Sequence, residues 1–247
     1  MNIPSAQVLL RSWEEGAGSH SIRRALALLD AASPEPGTGD WATVPVGARD
    51  AGLLALYEAL FGGDLNTVTD CPRCGQTLES TFLAPDVGAA AASAPMVRAP
   101  LHFRLRPFAL EYRLPTSQDL LAIVEAAEPS TGSTLQLLRR CVLAARRGER
   151  PTAVEDLPDE IIRQLGAAIA QQDPGAIIRI DLSCPACTHT WNVEFDIVSH
   201  ILGELDDWAE RTLAEVHILA SAYGWREPEI LDLSPSRRQS YIEMVQA

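Results

Sequence analysis

Four of the five cysteines fall into two matched pairs, Cys71-Pro72-Arg73-Cys74 and Cys184-Pro185-Ala186-Cys187. Two thiols held two residues apart in a tight turn can reach one metal ion, and two such pairs complete a tetrahedral four-sulfur shell. Proline stiffens each turn, and Gly75 after the first pair permits the left-handed backbone that such turns favour. A long stretch of chain separates the pairs, so one ion would join distant parts of the sequence. Four thiolates leave no open position for water, which makes the ion structural rather than catalytic. Zinc is the expected ion, with iron as the alternative for the same four sulfurs. A second chemistry, cycling between dithiol and disulfide, would place one Cys-x-x-Cys after a strand at the start of a helix. Here both pairs are flanked by strand-like sequence.

Other reactive residue types do not assemble into a site. Cys141 lies in the helical run Leu137-Leu138-Arg139-Arg140-Cys141-Val142-Leu143 and is expected in the core. His189 follows Cys187 closely but is expected to cover the four sulfurs rather than replace one. His217, between Val216 and Ile218, reads as an edge residue of a helix. Gly16-Ala17-Gly18 lacks the Gly-Lys-Ser/Thr of a phosphate loop. With five histidines and no triad among them, the expectation is a non-enzyme with no small-molecule substrate.

The bulk composition narrows the setting. Of 247 residues, 47% are hydrophobic and 21% charged, ordinary values for a folded chain. The net charge of −13 repels phosphate backbones and anionic lipid, so neither nucleic acid nor membrane is an expected partner. Arg139-Arg140, Arg146-Arg147 and Arg237-Arg238 are too separate in sequence to define an RNA surface, though they suit a partner with acidic patches. Met1 to Leu10 does not read as a secretory signal, and no apolar run has the length of a membrane span. Paired rather than scattered cysteines fit a reducing compartment. The expected location is therefore cytoplasmic.

The elements that must position the cysteines follow from periodicity. Residues 1–69 read as helical, with Ser21 as a cap for Ser21–Leu29 and a second helix from Gly47 to Phe61, ended by Gly62-Gly63. Residues 70–83 form the first half of a ribbon, with a strand after the first cysteine pair. Residues 84–100, rich in Ala and Pro, read as a mobile linker. Residues 101–176 read as an insertion: a hairpin of Leu101–Arg106 and Leu110–Leu114, then helices at Ser117–Ala127, Thr134–Arg147 and Asp159–Gln171. Thr116 and Asp119 match a helix-capping pair. Residues 177–197 form the second ribbon half, where Trp191, Val193, Phe195 and Ile197 alternate with polar residues. Residues 198–247 read as a C-terminal helical region. There Ile201, Leu205, Trp208, Thr212, Val216, Leu219 and Tyr223 recur every three or four positions, and Ser234-Pro235 opens a last helix. The fold class is α+β, mostly α, with helical ends, a small antiparallel ribbon split between the two knuckles, and a helical insertion. Trp208, Tyr223 and Trp225 are candidate partner-binding residues, because large aromatics in a chain with few of them often anchor interfaces.

Several segments carry a family resemblance. They are Ser21-Ile22-Arg23-Arg24-Ala25-Leu26-Ala27-Leu28-Leu29, Val46-Gly47-Ala48-Arg49-Asp50-Ala51-Gly52-Leu53-Leu54, and the run into Asp70-Cys71-Pro72-Arg73-Cys74-Gly75. With them stand Asp181-Leu182-Ser183-Cys184-Pro185-Ala186-Cys187, Trp191, and the ending Glu215-Val216-His217-Ile218-Leu219-Ala220 through Tyr223-Gly224-Trp225 to Leu233-Ser234-Pro235-Ser236-Arg237-Arg238. Together they resemble baseplate-associated proteins of contractile phage tails and phage-tail-like injection systems. Tyr112-Arg113-Leu114-Pro115-Thr116 and the helices after it are similar to myophage baseplate hub and assembly-chaperone proteins. The resemblance implies a non-enzymatic role in a bacterial host, with other baseplate or tail proteins as partners. That family often has glycine after the second knuckle, where Thr188 stands in this chain. Two other readings remain open: a zinc-ribbon adaptor for a different protein complex, and a thiol redox protein.

Overall fold

A computed structural model describes residues 2–33, 40–92, 100–126 and 133–246. The fold is α+β, and the chain divides into two compact units, one of residues 1–39 with 197–247 and one of residues 40–196.

The first unit is helical. α1 (Ala6–Glu15), α2 (Ser21–Ala31), α8 (Ile197–Tyr223), α9 (Glu227–Leu231) and α10 (Pro235–Gln246) make it up among the described residues. Of the stripe read from the sequence, α8 buries Ile201, Leu205, Thr212, Val216 and Leu219; Ala209 is buried where Trp208 is expected, Trp208 is half-buried and Tyr223 is exposed. Leu10 of α1, Ile230 and Leu231 of α9 and Ile242 of α10 form one apolar cluster with Ala209, Val216 and Leu219 of α8. Polar ties cross the helices. Asp206 accepts from the Trp13 indole at 2.9 Å and from Arg24 at 2.5 Å, and Arg238, nearly buried, binds Glu215 at 2.7 Å. α2 is capped by the residue before the expected serine. The His20 ring accepts from the Ile22 amide, because Ser21 itself already lies in the helix.

The second unit is built around α3 (Val46–Phe61), which buries Leu53, Leu54, Leu56 and Tyr57. Gly47 lies where a side chain would strike Asp173: a Cβ there would stand 2.0 Å from the carboxylate. The Gly47 amide donates to that carboxylate at 3.0 Å, so the start of α3 is locked to the turn at Pro174–Ala176. After α3 comes β1 (Asp64–Asp70), which pairs antiparallel with β2 (Thr77–Leu83). The expectation of helix throughout residues 1–69 is thus corrected over β1. Its only apolar residues, Leu65 and Val68, point to opposite faces and give no strand signal, and pairing with β2 forms it.

α4 (Ala84–Ala92) replaces the expected linker over its own length. The Ala84 amide bonds to the Gly63 carbonyl at 2.8 Å, and Gly88 lies against Leu54 of α3. Residues 93–99 of the linker reading lie outside the described residues. The sheet β3 (Leu101–Leu105), β4 (Phe108–Tyr112), β5 (Val142–Arg147) and β6 (Arg150–Pro151) is antiparallel throughout. The hairpin read at 101–114 is therefore present. α5 (Ser117–Val124) and α6 (Ser133–Cys141) stand between β4 and β5, and α7 (Asp159–Gln172) follows. Residue 127, the expected end of the first of these helices, lies outside the described residues. The helix read over Thr134–Arg147 is a second correction. It stops at Cys141, and Val142–Arg147 pair with β4 instead. Leu, Ala and Arg favour a helix locally, but the unpaired edge of β4 takes them as a strand. Phe108, Leu110, Tyr112, Leu138, Leu157, Ile161 and Leu165 form the core beneath the sheet. Cys141 is fully buried, as expected. The last pair of strands is β7 (Ile178–Ser183) with β8 (Thr190–Phe195).

Candidate metal centre

Each cysteine pair lies in the turn of its own hairpin, Cys71–Cys74 between β1 and β2 and Cys184–Cys187 between β7 and β8. The split ribbon is therefore two hairpins, one for each half. The halves make two separate two-stranded sheets, and no strand of one pairs with a strand of the other. What joins them is the cysteines.

The two turns have the same backbone design. In the first, the Gly75 amide donates to the Cys71 carbonyl and the Cys71 amide to the Gln76 carbonyl, both at 2.9 Å. In the second, Thr188 donates to Cys184 and Cys184 to His189, again at 2.9 Å. The residue after each second cysteine is left-handed, Gly75 at φ 72 and Thr188 at φ 57. Thr188 is the one non-glycine residue with positive φ among the described residues. The left-handed turn costs an L-residue about 1–2 kcal/mol, so the chain keeps this conformation against its local preference.

The four sulfurs converge. Cys71 Sγ stands 3.7 Å from Cys187 Sγ, and Cys74 Sγ stands 3.7 Å from Cys184 Sγ. All four lie within 4.8 Å of one another. Sulfurs bound at about 2.3 Å around a tetrahedral ion stand about 3.8 Å apart, whereas a disulfide would bring two to about 2.0 Å. The spacing is that of ligands around one ion. Cys71 and Cys184 are buried, Cys187 is half-buried and Cys74 is exposed, so the first thiol of each pair anchors it inside.

Electrostatics point the same way. Burial pushes the Cys71 thiol up, but the amides of Cys74 and Arg73 and the neighbouring thiols outweigh this and bring it to about 7. The Gln76 amide pulls Cys74 down, but Cys187, burial, Cys184 and Cys71 together push it up to about 12. Adjacent thiols resist ionising together, and a dication among them removes that conflict. The donor set therefore fits a metal ion. His189 stays out of the cluster and stacks its ring on Trp191, with centroids 5.8 Å apart. No other group of three or more potential ligands gathers among the described residues.

The three candidate partner residues are placed in the helical unit. Tyr223 and Trp225 stack at 4.7 Å, and Tyr241 meets Trp225 edge-on at 5.0 Å. Tyr241 was not singled out from the sequence, although it lies in the last helix expected there. Trp208 is not part of this group; it lies fifteen residues before Tyr223, about 22 Å along a helix. Both tryptophans are half-buried against the apolar cluster of their unit, and Tyr223 is 40% exposed. No helix among the described residues is long and apolar enough to cross a membrane. In comparisons with known protein families, with characterised proteins and with solved structures, this chain matches none.

Proposed function

We propose that this chain is a non-enzymatic structural or assembly-chaperone component of a contractile-tail or injection-system baseplate, stapled by one zinc ion on Cys71, Cys74, Cys184 and Cys187. The observation that carries the zinc is the pair of 3.7 Å sulfur–sulfur spacings joining two hairpins that share no backbone pairing. Zinc matches four thiolates in a site without an open position, and iron is the competing ion. The baseplate setting is supported by the resemblance of the N-terminal helices, the knuckle segments and the Tyr223-Gly224-Trp225 ending. Its partners in that setting are other baseplate or tail proteins, with Trp208, Tyr223 and Trp225 as candidate contacts. Both Cys-x-x-Cys pairs lie in hairpin turns rather than at helix starts, which counts against the redox reading. An adaptor for another complex is the remaining alternative.

Two measurements test the proposal. Elemental analysis of protein prepared without added metal should give one zinc per chain; a ratio near zero, or iron in its place, rules out the zinc staple. Deleting the gene from a contractile-tail producer should leave sheath and tube protein made but baseplates incomplete. Normal tails from the deletion strain would leave the adaptor reading.

A further inference from the structure

Strand pairing brings together arginines that lie far apart in the sequence. One rung of the four-stranded sheet reads Arg104, Ala109, Arg146, Pro151, and the next reads Leu105, Phe108, Arg147, Arg150. Phe108, Leu110 and Tyr112 face the core, so Ala109 and Glu111 face the other way, with Arg104 and His102 beside them on β3 and Arg146 and Ala144 on β5. At the tip, the Gly148 amide donates to the Pro107 carbonyl at 2.7 Å. That bond holds the two turns side by side and sets Arg106 next to the Arg147–Arg150 turn.

Arg104, Arg106, Arg146, Arg147 and Arg150 are all exposed at this one end of the sheet. Among the described residues none has a carboxylate within ion-pair distance, whereas Arg113, Arg140, Arg179 and Arg238 each do. Arg147, paired with Phe108, lies over that ring at 5.7 Å on the core side of the sheet's end, while Arg104 and Arg146 share the outward face. Two carboxylates are near: Glu149 in the turn itself, and Glu111 farther along the face, 4.0 Å from His102. On a chain of net charge −13 this end is a local excess of positive charge.

We propose that this end of the sheet is a docking surface for an acidic, extended segment of a protein partner. Arg104 and Arg146 flank Ala109 on neighbouring strands, about 10 Å apart across the sheet. The low floor of Ala109 and Pro151 admits a main chain, and the guanidinium forks on either side match carboxylates in bidentate geometry. Nucleic acid is the poorer occupant. The outward rung of Arg104, Ala109, Arg146 and Pro151 offers no aromatic face on which a base could stack. The surface is independent of the cysteines, so its test does not turn on zinc content or on the baseplate setting.

The test is fluorescence anisotropy on the full-length protein, with a short labelled glutamate-rich peptide and a single-stranded oligonucleotide of equal charge as probes. The peptide should bind, and more weakly as salt rises. The double variant Arg104→Ser/Arg146→Ser should weaken it about tenfold or more, while Arg211→Ser on α8 should not change it. Melting curves matching the parent's establish that the double variant is folded, as expected for exposed positions. Undiminished peptide affinity in the folded double variant, or no peptide binding at low salt, overturns the surface. Oligonucleotide binding as tight as the peptide's, and lost in the same variant, overturns the choice of partner.

Discussion

At the scale of single residues, the cysteines divide into ligands and filling. Cys184 and Cys141 are equally buried, but only Cys184 has three other sulfurs around it. Structural zinc contributes on the order of 10 kcal/mol or more of folding free energy in sites that form only on folding. Cys184→Ser should therefore lower the melting temperature sharply and lose the bound metal. Cys141→Ser, which replaces a buried thiol by a hydroxyl close to Asp119, Arg113 and Arg140, should lower it much less and keep the metal. Equal melting shifts would contradict the ligand assignment. Thr188 supports a second prediction. Thr188→Gly removes roughly 1–2 kcal/mol of left-handed strain and returns roughly 0.5–1 kcal/mol of unfolded-chain entropy. Chemical denaturation should show a slight gain or no change. A loss above about 1 kcal/mol would mean that the Thr188 hydroxyl, which bonds the Cys187 carbonyl at 2.7 Å, outweighs the strain.

At the scale of elements, the junction of β4, α5 and α6 depends on one carboxylate. Asp119 is buried. It accepts from Arg113 at 2.6 and 2.8 Å, from Arg140 at 2.9 Å, and from the Thr116 amide at 3.0 Å and hydroxyl at 2.9 Å. Burial alone would raise its pKa, but Arg113 and Thr116 outweigh burial and hold it well below the usual carboxylate range. The sign follows directly. In the unfolded chain Asp119 takes up a proton near pH 4, while in the folded chain it resists, so its stabilisation is full above that pH and lost as the pH falls through the folded value. Asp119→Asn should flatten the acid side of the stability–pH curve relative to the parent. At neutral pH it should cost about 1.5–3 kcal/mol, the loss of charge-assisted hydrogen bonds to two arginines that keep partial access to water. A variant curve parallel to the parent's from pH 6 to acid would refute this role.

The Thr116–Asp119 pair could be read from the sequence because a capping motif is local. So could the two Cys-Pro-x-Cys turns, the alternation of β3, β4 and β8, and the apolar stripe of α8. Each is fixed by residues a few positions apart. What could not be read is what distant pairing decides. Apart from Val142, β5 is made of Leu, Ala and Arg, which favour a helix until β4 offers an edge. β1 shows a strand only in the presence of β2. The arginine cluster follows from the same pairing, since Arg104 and Arg146 are neighbours only because β4 lies between their strands. That Cys71, Cys74, Cys184 and Cys187 would gather was legible from their paired spacing, and so was the strand–turn–strand layout of the second pair; β1, the first strand of the other hairpin, was not, because Leu65 and Val68 point to opposite faces.

At the scale of the molecule, an ion on the four sulfurs would cross-link a long stretch of one unit. Cys74 and Cys184 are 110 residues apart. Cross-linking a loop of that length removes on the order of 4–5 kcal/mol of unfolded-chain entropy. All four ligands belong to the unit of residues 40–196, and the helical unit has its own apolar cluster. Metal removal by a strong chelator should therefore lower the melting of the unit that holds the cysteines and leave much of the helical signal in place. Trp191, stacked on His189 beside the second cysteine pair, should report the loss through its fluorescence, and Trp191→Phe should abolish that change. A single transition that shifts as a whole, with no response from Trp191, would count against this division.

The position of the insertion between the two cysteine pairs also sets an order in time. A ribosome delivers Cys71 and Cys74 first, and adds the 110 residues up to Cys184 at about 5–20 per second, a delay of roughly 5–20 s. Throughout that interval the nascent chain carries half a site. Two thiols hold an ion far more weakly than four, so firm capture waits until the whole insertion has been made. A chain truncated anywhere in the insertion would hold only Cys71 and Cys74 of the four sulfurs, and its weaker hold on a metal ion would distinguish it from a finished one.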